Sequence, residues 1–125
     1  MGAGAHTDWG LLTILLQDEN GGLEVKNADD DWISATPIPG TFIINLGKMV
    51  PVLTNGLYKA TKHRVLNNTS GKIRYSAPTF CDPEYFHKVK CAETCLPESR
   101  EPDYPEMTAG WHLRSMFEKT FGVRA

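Results

Sequence analysis

The sequence predicts an all-β fold class with one helix near the C-terminus, and three observations carry this prediction. Up to about residue 80, short apolar segments alternate with turn residues, as in closely spaced strands. From Cys81 onward, prolines interrupt a polar and charged stretch, which indicates an extended tail. Close to the end of the chain, apolar residues recur at helical spacing.

The strand candidates of the first half are bounded by glycine, proline, asparagine and aspartate, the residues that favour turns. They cover residues 11–17, 23–26, 32–36 and 42–46, and the apolar segment 50–54 leads to a turn at Asn55-Gly56. Residues 63–66 and 72–80 flank a polar turn at 67–71, so we expect them to pair as a hairpin.

The C-terminal helix is expected at residues 109–121. Thr108 is a suitable N-cap and Gly122 a suitable stop for it. One helical face then carries Leu113, Met116, Phe117 and Phe121. We expect that face to pack on the outside of the sheet.

Composition argues against several classes of protein. The 125 residues are 41% hydrophobic and 22% charged, which suits one globular domain. The net charge is −2, and the lysines and arginines are scattered and form no basic block. Neither nucleic acid nor a membrane surface is therefore an expected partner. The longest apolar run is far shorter than the roughly 20 residues that span a bilayer. An odd count of 3 cysteines and the absence of a secretory pattern predict a cytoplasmic location.

Two histidines and one aspartate form a candidate metal site. In a strand, His6 and Asp8 would point to the same face, because successive side chains alternate. His63, at the start of a later strand, would supply the second imidazole. Such a set leaves coordination positions open for a chelating cosubstrate and O₂, which suits Fe(II). The alternative is an ordinary His–Asp hydrogen bond at a strand end, with His63 unrelated to it.

Arg74 and Ser76 form a candidate carboxylate site, because they too would share one strand face. A guanidinium can bind a carboxylate through two parallel hydrogen bonds, and a hydroxyl beside it can donate a third. The alternative is a surface salt bridge at Arg74. Alternation also directs Phe80 to the same face, where it would line a substrate pocket or pack in the core.

The order H-x-D, a distant histidine and then R-x-S resembles the iron(II)- and 2-oxoglutarate-dependent dioxygenase superfamily, in particular its isopenicillin N synthase-like branch. The resemblance covers about residues 4–85. The further segments that follow the branch's order and spacing are Trp9-Gly10-Leu11-Leu12-Thr13-Ile14-Leu15, Gly21-Gly22-Leu23-Glu24-Val25, Trp32-Ile33, Pro37-Ile38-Pro39-Gly40, Asn45-Leu46-Gly47, Thr54-Asn55-Gly56 and His63-Arg64-Val65. One position departs from the branch, since Lys48 stands where an acidic residue is common.

The resemblance implies a double-stranded β-helix, or jelly roll, with His6, Asp8 and His63 holding Fe(II) at its mouth. It also implies that Arg74 and Ser76 receive the far carboxylate of 2-oxoglutarate. O₂ would then be used to hydroxylate or desaturate a small organic substrate, with release of succinate and CO₂. Residues 1–85 are expected to form this catalytic core, and residues 86–125 a C-terminal extension.

Members of this branch are usually longer, so we expect an incomplete jelly roll that associates with itself or with a separate N-terminal half. Two alternatives stand beside the dioxygenase. One is a catalytically inactive jelly-roll fragment that acts as an interaction or structural protein. The other is an Fe(II) oxidase of the same branch that does not use 2-oxoglutarate.

Overall fold

The structure is a computed structural model that describes residues 2–67, 71–96 and 100–122. Helix α1 spans Met49–Leu53, a short 3-10 helix spans Glu93–Cys95, and helix α2 spans Ala109–Phe121. The strands are β1 (Ala3–His6), β2 (Leu12–Gln17), β3 (Leu23–Lys26), β4 (Trp32–Ser34), β5 (Ile43–Leu46), β6 (His63–Val65), β7 (Ser76–Cys81), β8 (Lys88–Val89) and β9 (Met107–Thr108).

Two antiparallel sheets enclose a small interior cavity. One sheet has the order β1-β6-β3-β4 and the other has the order β5-β2-β7. The cavity measures about 200 Å³, and alternate residues of five strands line it, as the pleat of a strand requires. They include Thr13, Leu15, Leu23, Val25, Ile43, Asn45, His63, Val65, Ser76, Pro78 and Phe80. The expected all-β jelly roll with a C-terminal helix is confirmed.

The apolar segment 50–54 was expected within the β pattern, but it belongs to helix α1. Backbone hydrogen bonds from Lys48 to the Asp8 carbonyl (2.9 Å) and from Met49 to the Gly10 carbonyl (3.0 Å) turn the chain directly after β5. Met49, Val50 and Val52 are then buried from a helical turn. Long-range contacts therefore override the β propensity of valine at this point.

The expected hairpin of residues 63–66 and 72–80 is wrong. Strand β6 pairs with β1 and β3, whereas β7 pairs with β2 in the opposite sheet. The β2–β7 pairing runs from Leu12 opposite Cys81 to Gln17 opposite Ser76. This long ladder outweighs the local preference for a tight turn. Residues 68–70 of the expected turn lie outside the described residues.

The segment after Cys81 is more ordered than the extended tail that its prolines predicted. Strands β8 and β9 pair, and Val89 and Ala109 join Met49 and Val52 in a buried core. Helix α2 begins and ends as expected. Thr108 Oγ1 accepts a hydrogen bond from the Trp111 backbone N–H at 3.1 Å, and Gly122 has φ 67°. In the described part of the chain, neither helix has the length and apolar character needed to cross a membrane.

Candidate metal and cosubstrate site

His6, Asp8 and His63 meet at the edge of the interior cavity. The register of β1 and β6 sets His6 opposite His63, and their rings lie 4.3 Å apart between centroids. Asp8 Oδ1 lies 3.7 Å from His6 Nε2 and 3.6 Å from His63 Nε2. One ligand atom from each residue falls within 4.8 Å of the others, so the three side chains could hold one metal ion.

Backbone carbonyls fix the proton positions of both imidazoles. His6 Nδ1 lies 2.7 Å from the Gly4 carbonyl, and His63 Nδ1 lies 3.0 Å from the Thr61 carbonyl. A carbonyl can only accept, so in the neutral form of each ring the proton lies on Nδ1 and Nε2 keeps a free lone pair. Both lone pairs face Asp8 Oδ1. Metal-binding histidines commonly have this second hydrogen bond, which orients the ring.

The second oxygen of Asp8 is held by two donors. Oδ2 accepts hydrogen bonds from Thr13 Oγ1 at 2.5 Å and from Asn45 Nδ2 at 2.8 Å. Burial raises the pKa of Asp8, but the bonds from Asn45 and Thr13 and the charges of His63 and His6 together hold that pKa below its ordinary value. Asp8 is therefore a carboxylate at neutral pH, and its Oδ1 is left for a metal.

The three residues converge for a different reason than the sequence suggested. Alternation within one strand was expected to align His6 with Asp8, but β1 ends at His6 and Asp8 lies in the connection that follows, directly before a bend at residues 9–11. The Lys48 backbone N–H holds the Asp8 carbonyl at 2.9 Å, which secures that connection against the start of α1. The connection, and not the strand, directs the carboxylate toward the imidazoles.

Arg74 and Ser76 also line the interior cavity. Arg74 precedes β7, so the two residues meet through a direct hydrogen bond from Nη1 to Ser76 Oγ (2.8 Å) and not through a shared strand face. The guanidinium also donates to the Gly21 carbonyl at 2.6 Å and to Gln17 Oε1 at 3.4 Å. Among the described residues, three of its five N–H groups have partners, and two remain for a carboxylate.

A larger cavity of about 910 Å³ adjoins the metal candidates and reaches helix α2. His6 and Asp8 form part of its wall, and Phe80 lines both this cavity and the interior one. Its apolar wall consists of Trp9, Phe80, Leu113 and Met116, and its polar groups include Lys48, Lys62, Asp82 and Thr120.

His112 joins helix α2 to the bend next to Asp8. Its Nε2 lies 2.8 Å from the Trp9 carbonyl, and the side chain is buried. Burial lowers the pKa of His112, and the charges of Lys48 and Lys119 lower it further, against the opposing effects of the Trp9 bond and Asp82. The neutral ring therefore donates Nε2–H to the Trp9 carbonyl.

Roles for Thr13, Asn45 and His112 were not predicted from the sequence. A signal for the first two was present, because each is a polar residue at an inward position of an otherwise apolar strand. Thr13 and Asn45 also stand directly opposite each other in the β2–β5 register. Inward polar side chains of this kind need a partner, and here the partner is Asp8. His112 carries no comparable local signal.

Comparison with known proteins identifies the family. Residues 1–83 match the model of the 2OG-Fe(II) oxygenase superfamily, and the chain belongs to that superfamily. Fe(II), 2-oxoglutarate and O₂ are the requirements of the family. The donor set, two imidazole nitrogens and one carboxylate oxygen, fits Fe(II).

Three relatives illustrate the similarity. The chain is 44% identical over 124 residues to a 1-aminocyclopropane-1-carboxylate oxidase of Dictyostelium mucoroides, covering 97% of this chain and 33% of that protein. It is 46% identical over 95 residues to homoarginine-6-hydroxylase 2-ODD-C23 of Glycine max, covering 75% and 28%. The crystal structure of full-length Neurospora crassa T7H with alpha-KG and thymine superposes with a TM-score of 0.87 at 32% identity, covering 95% and 37%. The chain thus spans about a third of the length of these relatives.

Proposed function

We propose that this chain carries the iron and cosubstrate sites of a 2-oxoglutarate-dependent dioxygenase that hydroxylates or desaturates a small organic molecule. One observation carries the proposal. Two Nε2 lone pairs and Asp8 Oδ1 converge beside a cavity that also contains an arginine with two uncommitted N–H groups. A metal site and a carboxylate site within one cavity of about 200 Å³ suit a chelating dicarboxylate.

His6 Nε2, His63 Nε2 and Asp8 Oδ1 would hold the Fe(II), which supplies the Lewis-acid and redox chemistry of O₂ activation when bound. Thr13 and Asn45 hold Asp8 Oδ2, so the carboxylate presents one oxygen to the ion. A carboxylate that ligates through one oxygen leaves more coordination positions for other ligands.

Arg74 and Ser76 would bind the far carboxylate of 2-oxoglutarate. The remaining Arg74 N–H groups donate to it, and the Ser76 hydroxyl, which accepts from Arg74, can direct its own proton to the same group. Apolar inward residues of β2, β3 and β5 line this cavity beside its polar groups. Phe80, between the two cavities, would separate the cosubstrate from the substrate.

The proposal is tested by adding Fe(II) and 2-oxoglutarate to the chain without oxygen and recording the visible charge-transfer band of the chelate. We expect the band in the wild type and in Asp29→Ala, which removes an exposed aspartate in the β3–β4 turn. Asp8→Ala should lose the band, because it removes the anionic ligand. A wild-type chain without the band, or an Asp8→Ala variant that retains it, would contradict the proposal.

A further inference from the structure

Apart from the metal candidates, the wall of the larger cavity carries more positive than negative charge, which favours an anionic substrate. Besides the metal candidates, the charged side chains on its wall are Lys48, Lys62 and Asp82. Asp82 Oδ1 accepts a hydrogen bond from the Leu11 backbone N–H at 3.0 Å and packs directly over Gly10. Apart from Asp8, Asp82 is the one acidic group on this wall among the described residues, and it is committed to the backbone of the bend.

Lys48 has no such commitment. It is half-buried, and its ammonium group lies 3.9 Å from the thioether sulfur of Met116, a weak acceptor. In the described parts of the chain, no carboxylate forms an ion pair with Lys48. A half-buried cation without an anionic partner beside a cavity is available to pair with an anionic ligand.

Lys62 also lines this cavity and adds to its positive charge. It is exposed, and it lies near enough to Asp30 to contribute, after Lys26, to holding the pKa of Asp30 below its ordinary value. The neighbouring His112 is held neutral by burial and adds no charge. When Fe(II) and dianionic 2-oxoglutarate are bound, their charges and those of Asp8 and Arg74 sum to zero. The positive charges of Lys48 and Lys62 then exceed the negative charge of Asp82, so the larger cavity is positive.

From these contacts we infer that the larger cavity binds an organic anion, an apolar molecule with a carboxylate that pairs with Lys48. The apolar part would lie against Trp9, Leu113 and Met116, and the reacting carbon would face the metal site between His6 and Phe80. The cavity volume of about 910 Å³ is in the range that accepts ligands of this size. The inference rests on the proposed function and adds its substrate class.

The test compares 1-naphthylacetate with 1-naphthylacetamide, two probes of similar shape that differ in charge. The chain is loaded with Mn(II) and saturated with 2-oxoglutarate, which occupies Arg74, and each probe is titrated. Paramagnetic relaxation of the probe protons reports both affinity and closeness to the metal, with Zn(II) as the diamagnetic reference. We expect the acid to bind about tenfold more tightly than the amide, as for a charge-assisted contact.

Variants assign this preference to Lys48. Lys48→Met keeps the length of the side chain but removes its charge, so this variant should bind the acid and the amide with equal affinity. Lys48→Arg keeps the charge and should still bind the acid more tightly. Lys59→Met, a change at an exposed lysine outside the cavity, should behave as the wild type. Equal affinity for the two probes, binding of neither, or an unchanged preference in Lys48→Met would overturn the inference. If Mn(II) and 2-oxoglutarate bind in those cases, only the substrate class fails; if they do not bind, the proposed function fails as well.

Discussion

Replacing Thr13 with valine tests whether the second oxygen of Asp8 controls metal binding. Thr13 has only 4% of its surface exposed, and valine has nearly the same shape. The substitution therefore removes one hydrogen-bond donor without opening a cavity. Asp8 Oδ2 keeps only the bond from Asn45 at 2.8 Å, so the carboxylate is free to rotate away from the two Nε2 atoms.

Two independent magnitudes agree on the size of the effect. A hydrogen bond to a charged group contributes about 1.5–3 kcal/mol. Loss of a partner that orients a metal ligand typically lowers metal affinity about 10- to 100-fold, and each tenfold change corresponds to about 1.4 kcal/mol. We therefore expect Mn(II) to bind Thr13→Val about 10- to 100-fold more weakly than the wild type. Thr13→Ser, which restores the hydroxyl, should recover most of the affinity.

Calorimetric titration with Mn(II) measures the affinity, and circular dichroism checks that the fold is intact. Thr79→Val is the matched control, because it makes the same chemical change at an exposed residue of β7. It should bind Mn(II) as the wild type does. Unchanged affinity in a folded Thr13→Val variant would refute the reasoning that Thr13 positions Asp8.

Three further predictions concern the cosubstrate, pH and packing. Arg74→Lys keeps the charge but loses the planar set of donors, so 2-oxoglutarate should bind more weakly by about 1–3 kcal/mol. Ser76→Ala should have a smaller effect. Equal 2-oxoglutarate affinity in the wild type and in Arg74→Lys would exclude this role of Arg74. Burial lowers the pKa of His112 in the folded chain from its ordinary value of 6.5. Below pH 6.5 the unfolded chain therefore binds a proton at His112 more readily than the folded chain does. The free energy of unfolding should fall as the pH drops through this range. Urea titrations at several pH values should show that His112→Gln lacks this component, while His87→Gln, at an exposed site, keeps it. Gly47→Ala would push a Cβ into the Gly10 carbonyl and should cost about 1–3 kcal/mol of stability, whereas Gly4→Ala, with open space around it, should not lower the denaturation midpoint.

The sequence alone predicts the elements whose signals are local. Strands β2, β3 and β5 follow from apolar segments between turn residues, and α2 follows from Thr108, Gly122 and the apolar face between them. The candidate site residues were also chosen from sequence, because metal and carboxylate binding require particular side chains. These features depend on residue type and short spacing, which a sequence displays directly.

Tertiary structure decided how those elements combine. The pairing of β7 with β2, and not with β6, depends on contacts between residues far apart in the chain, and no local pattern encodes that choice. The same holds for α1, which is set by hydrogen bonds from Lys48 and Met49 to the bend after β1.

The candidate site shows the same division. The sequence contains His6, Asp8 and His63, but the bend beside Asp8 and the pairing of β1 with β6 bring their ligand atoms together. Only the folded chain sets Thr13 and Asn45 against Asp8 Oδ2, and only there does Lys48 face a cavity beside the metal candidates. The physical reason is that hydrogen bonds and electrostatic pairing depend on distances in space, which the order of residues along the chain does not specify.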